Sequence, residues 1–216
     1  AALRRYNGKA MINSVNGTKE SMDQIFPLMK KYGGVAIALT LDEGGIPANA
    51  EERVSVAQKI LAEGAKYGFT KDDFIFDPLA MTVSSDQSAA LVTLKALNML
   101  SERGCRTSLG VSNVSFGLPR RDTVNAAFFA CALEQGLSAA IMNPYSEEMM
   151  KTYRIFRLLR GMDENCREYL SAAEKKGEVE SSTEELPKSF VLTAEYGLNR
   201  VHLTALASST LEKRLK

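Results

Sequence analysis

Five short strand candidates, the first turning polar at Asn13 and the rest mainly apolar, alternate along the chain with segments whose apolar residues recur every three or four positions. The candidates are 11–15, 35–41, 74–76, 109–111 and 137–142. Continuous apolar runs bounded by Gly, Asp or Asn are what strands buried on both faces of a parallel sheet require. Between them the spacing predicts helices over 19–31, 49–67, the stretch from Ser84-Ser85-Asp86 to Gly104, 122–135 and 146–160. The expected buried faces are Met22/Ile25/Phe26/Met29, Val54/Ala57/Leu61/Ala65, Leu91/Leu94/Leu97/Leu100, Val124/Phe128/Cys131 and Met149/Tyr153/Phe156. Pro27, inside the first helix, predicts a kink or a late start. Strict βα alternation defines an α/β fold with a parallel sheet. Beyond Gly161 the alternation stops: 163–177 reads as an amphipathic helix, 178–187 as an acidic linker, and 188–216 as one or two helices.

Composition narrows the function. With 27 basic against 26 acidic residues the net charge is +1, and no basic run marks a nucleic-acid or anionic-membrane surface. No apolar run is long enough to span a bilayer, and Ala1-Ala-Leu-Arg-Arg-Tyr6 has no signal-peptide core. Three isolated cysteines, Cys105, Cys131 and Cys166, point to a reducing, cytoplasmic setting with incidental thiols rather than a disulfide framework or paired metal ligands. The only histidine, His202, lies in the tail, so a His-based triad or His-rich metal site is excluded from the βα region. Any chemistry there runs on amides, carboxylates, hydroxyls or a borrowed group.

Polar side chains stand where the strands end: Asn13, Asp42 with Glu43, Asp77, Asn113 and Asn143. In βα barrels and doubly wound sheets the ligand gathers at those carboxyl ends. Each residue alone is ordinary turn chemistry. Together they would line one mouth with amides and carboxylates and few fixed charges, which suits a flat, neutral, hydrogen-bonding heterocycle. Asp77 carries the most weight, because a buried carboxylate can accept two parallel N–H bonds from a guanidine-like edge.

The segments Met11-Ile-Asn-Ser-Val-Asn-Gly17, Asp77-Pro-Leu-Ala-Met-Thr-Val-Ser-Ser85 and Gly110-Val-Ser-Asn-Val-Ser-Phe-Gly-Leu-Pro119 resemble the folate-binding domain of cobalamin-dependent methionine synthase. That domain is a pterin-binding TIM (β/α)8 barrel, related to methyltetrahydrofolate:corrinoid methyltransferases and more distantly to dihydropteroate synthase. The likeness runs over about residues 5–170 with the motifs in order. It implies a methyltransferase that takes the N5 methyl of 5-methyltetrahydrofolate to cob(I)alamin on a corrinoid-binding domain or protein. It implies that Asn13 and Asp77 hold the amino-pyrimidine edge and that Asn113, the catalytic candidate, lies near N5. Arg121 would order the loop, with Ser112 a weaker neighbour. Phe116 stands where some relatives carry glutamine.

The resemblance starts just before the family's fourth strand. It therefore implies that residues 1–177 are the last five βα units, that the first three strands and a pterin-contacting aspartate are missing, and that 188–216 leads toward a cobalamin-binding region. A chain of that extent is expected to bind folate weakly or not at all. Its open edges allow self-association. Two other readings stay open: a catalytically silent fragment that only binds or self-associates, and a dihydropteroate synthase-like enzyme. The last is disfavoured by Asn143-Pro144-Tyr145 on the fifth strand and by the lack of histidine.

Overall fold

The computed structural model describes residues 2–174, 191–197 and 200–206. They fall into two units, Ala1–Asp163 and Glu164–Lys216, each described by itself.

The first unit carries five parallel strands, β1 (Met11–Asn16), β2 (Val35–Leu39), β3 (Phe74–Asp77), β4 (Arg106–Gly110) and β5 (Ala139–Ile141). They lie in the sheet in chain order. The helices α1 (Lys19–Tyr32), α2 (Ala50–Ala65), α3 (Ala89–Glu102), α4 (Arg121–Glu134) and α5 (Glu147–Leu159) alternate with them. A doubly wound sheet reverses its strand order at a switch point. This one does not reverse, and crossovers of one hand then stack every helix on one face. The result is the βαβαβ wall of a barrel.

Packing confirms which face that is. Val15, Ala36, Ala38, Phe74 and Phe76 join Met22, Phe26 and Met29 of α1 and Val54, Val56, Ala57 and Ile60 of α2 in one apolar cluster. Leu109 joins Leu97 of α3, Phe128, Phe129 and Ala132 of α4, and Met149 of α5 in another. Strand side chains alternate, so Asn13, Ile37, Ile75 and Asp77 face the opposite way, into the concave side.

Several sequence expectations change. α1 starts on time, capped by Thr18, with Pro27 inside it. The buried residues of α2 include Arg53, Val56, Ala57, Ile60 and Gly64, while Ala65 is exposed. A charged residue on that stripe concealed its true phase. Leu91 is exposed where Thr93 and Ala96 are buried, and α3 begins at Ala89 rather than near Ser84–Asp86. Cys131 is exposed, and Tyr153 is more exposed than its helical spacing suggests.

In the second unit α6 (Arg167–Glu174) covers part of the helix expected over 163–177. The acidic linker at 178–187 lies outside the described residues. The helical reading of 188–216 is overturned between 191 and 206. Here β6 (Val191–Gly197) and β7 (Arg200–Leu206) form an antiparallel hairpin in continuous register from Val191↔Leu206 to Gly197↔Arg200. β-branched Val191, Thr193, Val201 and Thr204 favour a pleated pair over a helix.

The aromatic rings behind β3 are the densest part of the core. Phe74 stands 5.9 Å from Phe26, 6.0 Å from Phe69 and 5.9 Å from Phe76 by ring centroids. Phe74→Ala is expected to lower stability by about 3–5 kcal/mol, read as a shifted urea midpoint. An unchanged midpoint would place the packing elsewhere.

Candidate functional site

Register decides which rim residues can meet. Asn13 pairs with Ile37, which pairs with Ile75; Asn16 pairs with Leu39, which pairs with Asp77. Partners in a parallel ladder share a face. Asn13 and Asp77 therefore lie on the same concave face, with Asn13 one row deeper. A bulge between Asn13 and Val15 shifts the register by one residue and brings Asn16 into the row of Asp77. Asn13 is exposed and Asn16 half-buried. The Asn16 Oδ1 already accepts from the Thr18 N–H at 2.9 Å and the Thr18 hydroxyl at 2.7 Å.

Asp77 ends β3 and is only 6 % exposed. Burial pushes its carboxyl up to about 6, against hydrogen bonds from the Leu79 and Gly110 N–H groups that hold it down. The Leu79 N–H donates to Oδ1 at 2.8 Å. Leu79 itself adopts a left-handed φ of 64°, a conformation unusual for a leucine.

Asn113 does not end a strand. β4 stops at Gly110, and Val111–Ser115 forms a 3₁₀ turn that carries Asn113 exposed on the rim. The sequence expectation of a strand through Val111 is corrected here: Val111 and Val114 are buried on the inward side of the turn. A β-carbon added at Gly110 would lie 3.0 Å from Asn113 Nδ2. Asn113 thus folds back over the same glycine whose N–H serves Asp77, and Gly110 joins the two polar groups at one place.

Arg121, at the start of α4, holds this turn. Its Nε donates to Ser115 Oγ at 3.0 Å, its Nη2 donates to the Ser112 carbonyl at 2.8 Å, and its guanidinium sits 5.8 Å from the Phe116 ring centre. Phe116 is 68 % exposed. The half-buried Ser112 is gripped here through its carbonyl. The loop after β3 clasps the loop after β4: the Val83 N–H donates to the Val114 carbonyl, and the Thr82 and Ser84 hydroxyls both donate to the Phe116 carbonyl, at 2.7 and 2.9 Å.

Other strand-end residues do local work. Asp42 and Glu43 pair with Lys59 at 3.6 and 2.8 Å, and Glu43 also accepts from the Lys19 N–H. Asn143 Oδ1 accepts from the Tyr145 N–H at 3.0 Å, an Asx turn. Among the described residues no cluster of His, Cys, Asp and Glu could hold a metal ion, and no helix is long and apolar enough to cross a membrane.

One residue passed unnoticed in the sequence. Arg53 of α2 is 3 % exposed and bonds the carbonyls of Pro47, Pro78 and Leu79. Its signal was present: it stands three, four and seven residues before Val56, Ala57 and Ile60, on the buried stripe.

An open wall of parallel βα units thus carries an acid and an amide beside one rim glycine. Residues 1–143 match the family described as pterin binding enzyme, and the chain belongs to that family. It is 30% identical over 173 residues to methylcorrinoid:tetrahydrofolate methyltransferase of Eubacterium limosum, covering 78% of this chain and 64% of that protein. It is 31% identical over 157 residues to methionine synthase of Mycobacterium leprae, covering 66% of this chain and 13% of that protein. The chain therefore spans less than two thirds of either relative's length. Its fold resembles the dihydropteroate synthase of Yersinia pestis at TM-score 0.57 and 13% identity, covering 74% of this chain and 75% of the other. It also resembles that of Coxiella burnetii in complex with pteroic acid, at TM-score 0.56 and 17% identity, covering 72% and 61%. The five βα units are those of a pterin-binding barrel.

The proton on Asp77 sets a stability trend. Its carboxyl titrates near 6 when folded against an ordinary 3.8. Between those values the folded state holds the extra proton, so stability falls as pH rises through that window. Above it the cost is on the order of 2–3 kcal/mol. Asp77→Asn is expected to melt higher than the parent at pH 7.5 and level with it near pH 4. A variant that melts lower at pH 7.5 would contradict the burial cost.

Proposed function

We propose that this protein is a methyltransferase of the pterin-binding family that moves a methyl group between N5 of tetrahydrofolate and the cobalt of a corrinoid on a partner domain or protein. The observation that carries this reading is Gly110 at the carboxyl rim, whose N–H serves Asp77 and whose Cα side packs against the Asn113 amide. The two relatives, named as corrinoid and methionine-forming enzymes, favour it over condensation chemistry. The dihydropteroate synthase likeness, at 13–17% identity, speaks for the fold.

In this reading Asp77 accepts the N–H groups of the amino-pyrimidine edge. The Leu79 and Gly110 N–H groups already bond this carboxyl, and its remaining acceptor capacity is left for a ligand. Asn13, one row deeper on the same face, meets the far end of that edge. Asn113 places its amide beside N5. A tertiary amine is a poor leaving group, so N5 must hold a proton, or most of one, as the methyl departs. An amide cannot supply that proton, but it can accept a hydrogen bond from protonated N5 through its carbonyl oxygen. A preorganised acceptor of this kind strengthens as charge develops.

The corrinoid supplies the cobalt that takes or gives the methyl when bound. This chain's own residues hold the pterin, exclude rotation about its reacting end and keep N5 polarised. Arg121 keeps the Asn113 turn in place through Ser112 and Ser115. A site complementary to the transition state speeds both directions, so methyl formation on folate and methyl loss from it are served by one geometry. Three free cysteines support a reducing cytoplasmic setting.

The direct test mixes the full-length protein with methyltetrahydrofolate and cob(I)alamin and follows methylcobalamin by its visible spectrum. Spectral conversion with saturation in folate is expected; no conversion and no saturable folate binding would overturn the reading. Asn113→Ala should cut the single-turnover rate about 10²–10³-fold with a smaller change in folate affinity. Folate affinity should also weaken as pH falls through about 6, where Asp77 takes up its proton and can no longer accept both N–H groups. Titration calorimetry at pH 5 and 7.5 reads that difference.

A further inference from the structure

Among the described residues, no carboxylate reaches the fork of the Arg53 guanidinium. Its acceptors are the Pro47 carbonyl at 3.0 Å through Nε and, through Nη1, the Pro78 carbonyl at 2.7 Å, the Leu79 carbonyl at 2.8 Å and Thr93 Oγ1 at 3.3 Å. Burial lowers its proton affinity, and the exposed Asp86 only partly restores it. It also sits in the opening turns of α2, where the helix dipole disfavours a cation. A buried cation without an ion-pair partner is costly, and an apolar side chain of similar volume would fill the stripe at lower cost. Fold stability alone does not account for an arginine here.

What it touches does. Pro78 C=O and Leu79 N–H belong to one peptide unit. In a trans peptide these groups point in opposite directions. The C=O of this unit accepts from Arg53 at 2.7 Å, and its N–H donates to Asp77 Oδ1 at 2.8 Å. One peptide plane therefore bridges the guanidinium on one side and the carboxylate on the other. A cation on the carbonyl polarises the peptide and strengthens its N–H as a donor. The next carbonyl, Leu79 O, is also tied by Arg53 and by Thr93 Oγ1 at 3.0 Å, which fixes Leu79 in its left-handed conformation.

We propose that Arg53 is a positioning residue for the pterin site, acting through the Pro78–Leu79 peptide to orient the Asp77 carboxylate and keep it ionised. The proposal rests on the reading that Asp77 grips the pterin, but its physical core, the relay from guanidinium through peptide to carboxylate, can be tested without ligand. Burial and the Leu79 and Gly110 N–H groups set the proton affinity of Asp77. No charged side chain among the described residues acts on it directly, so a change made at Arg53 reaches it through the peptide.

The measurement is the titration of the Asp77 carboxyl carbon by ¹³C NMR in the full chain, in the parent, Arg53→Met and Arg53→Lys, with Asp77→Asn to assign the signal. The parent midpoint is expected near 6. Arg53→Met should raise it by about one pH unit, the effect of weakening one hydrogen bond to a charged group. Arg53→Lys keeps a cation in the same space and secures a folded variant; its midpoint should fall between the two. If both folded variants lose thermal stability while the Asp77 midpoint stays at the parent value, Arg53 is structural and the proposal fails. A protein that binds no folate yet shows the shifted midpoint would sink the functional reading and leave the relay standing. Where folate does bind, Arg53→Met should weaken it in the parent and leave it unchanged in the Asp77→Asn background; equal losses in both would overturn the coupling.

Discussion

A carboxylate removed from water, with no cation beside it among the described residues, is the constraint around which this rim is built. Burial alone would neutralise Asp77. Two backbone N–H groups, from Leu79 and Gly110, bring it back toward ionisation. Leu79 turns left-handed just beyond its N–H, and Gly110 lacks a β-carbon where Asn113 folds over it. The site uses backbone dipoles where an ion pair would be stronger but would consume the acceptors a ligand needs.

The order of the sheet follows from simpler rules. Continuous apolar strands demanded helices on one side and a filled barrel wall on the other, and every strand then delivered its carboxyl end to one rim. The number and order of the five strands and five helices of the first unit were legible from hydrophobic period alone, though α3 starts later and β4 ends earlier than the pattern puts them. Asp77 was legible too, because Asp-Pro after Phe-Ile-Phe stops a ladder with an acid at its end.

What escaped did so for identifiable reasons. Arg53 was hidden because a charge on a buried stripe reads as a break in the stripe. The 3₁₀ turn at Val111–Ser115 was hidden because Gly110-Val111 continues the apolar run of β4, and only packing of Val111 and Val114 shows that the chain has already turned. The bulge in β1 cannot be read from Asn-Ser-Val-Asn; it appears only when Asn13 and Val15 are paired against consecutive residues of β2. The hairpin of β6 and β7 escaped because an alternation of only seven residues per strand is too short to be told from helical spacing.

The clasp between the loops after β3 and β4 has its own consequence. Because the Thr82 and Ser84 hydroxyls and the Val83 N–H all close on backbone carbonyls of the neighbouring segment, neither segment can wander without the other. The disorder a guest would otherwise have to quench has been removed during folding, so recognition costs less entropy at the moment of encounter. A substitution in Thr82 or Ser84, with no atom of its own against the guest, would return that freedom and surface as weaker capture rather than slower chemistry.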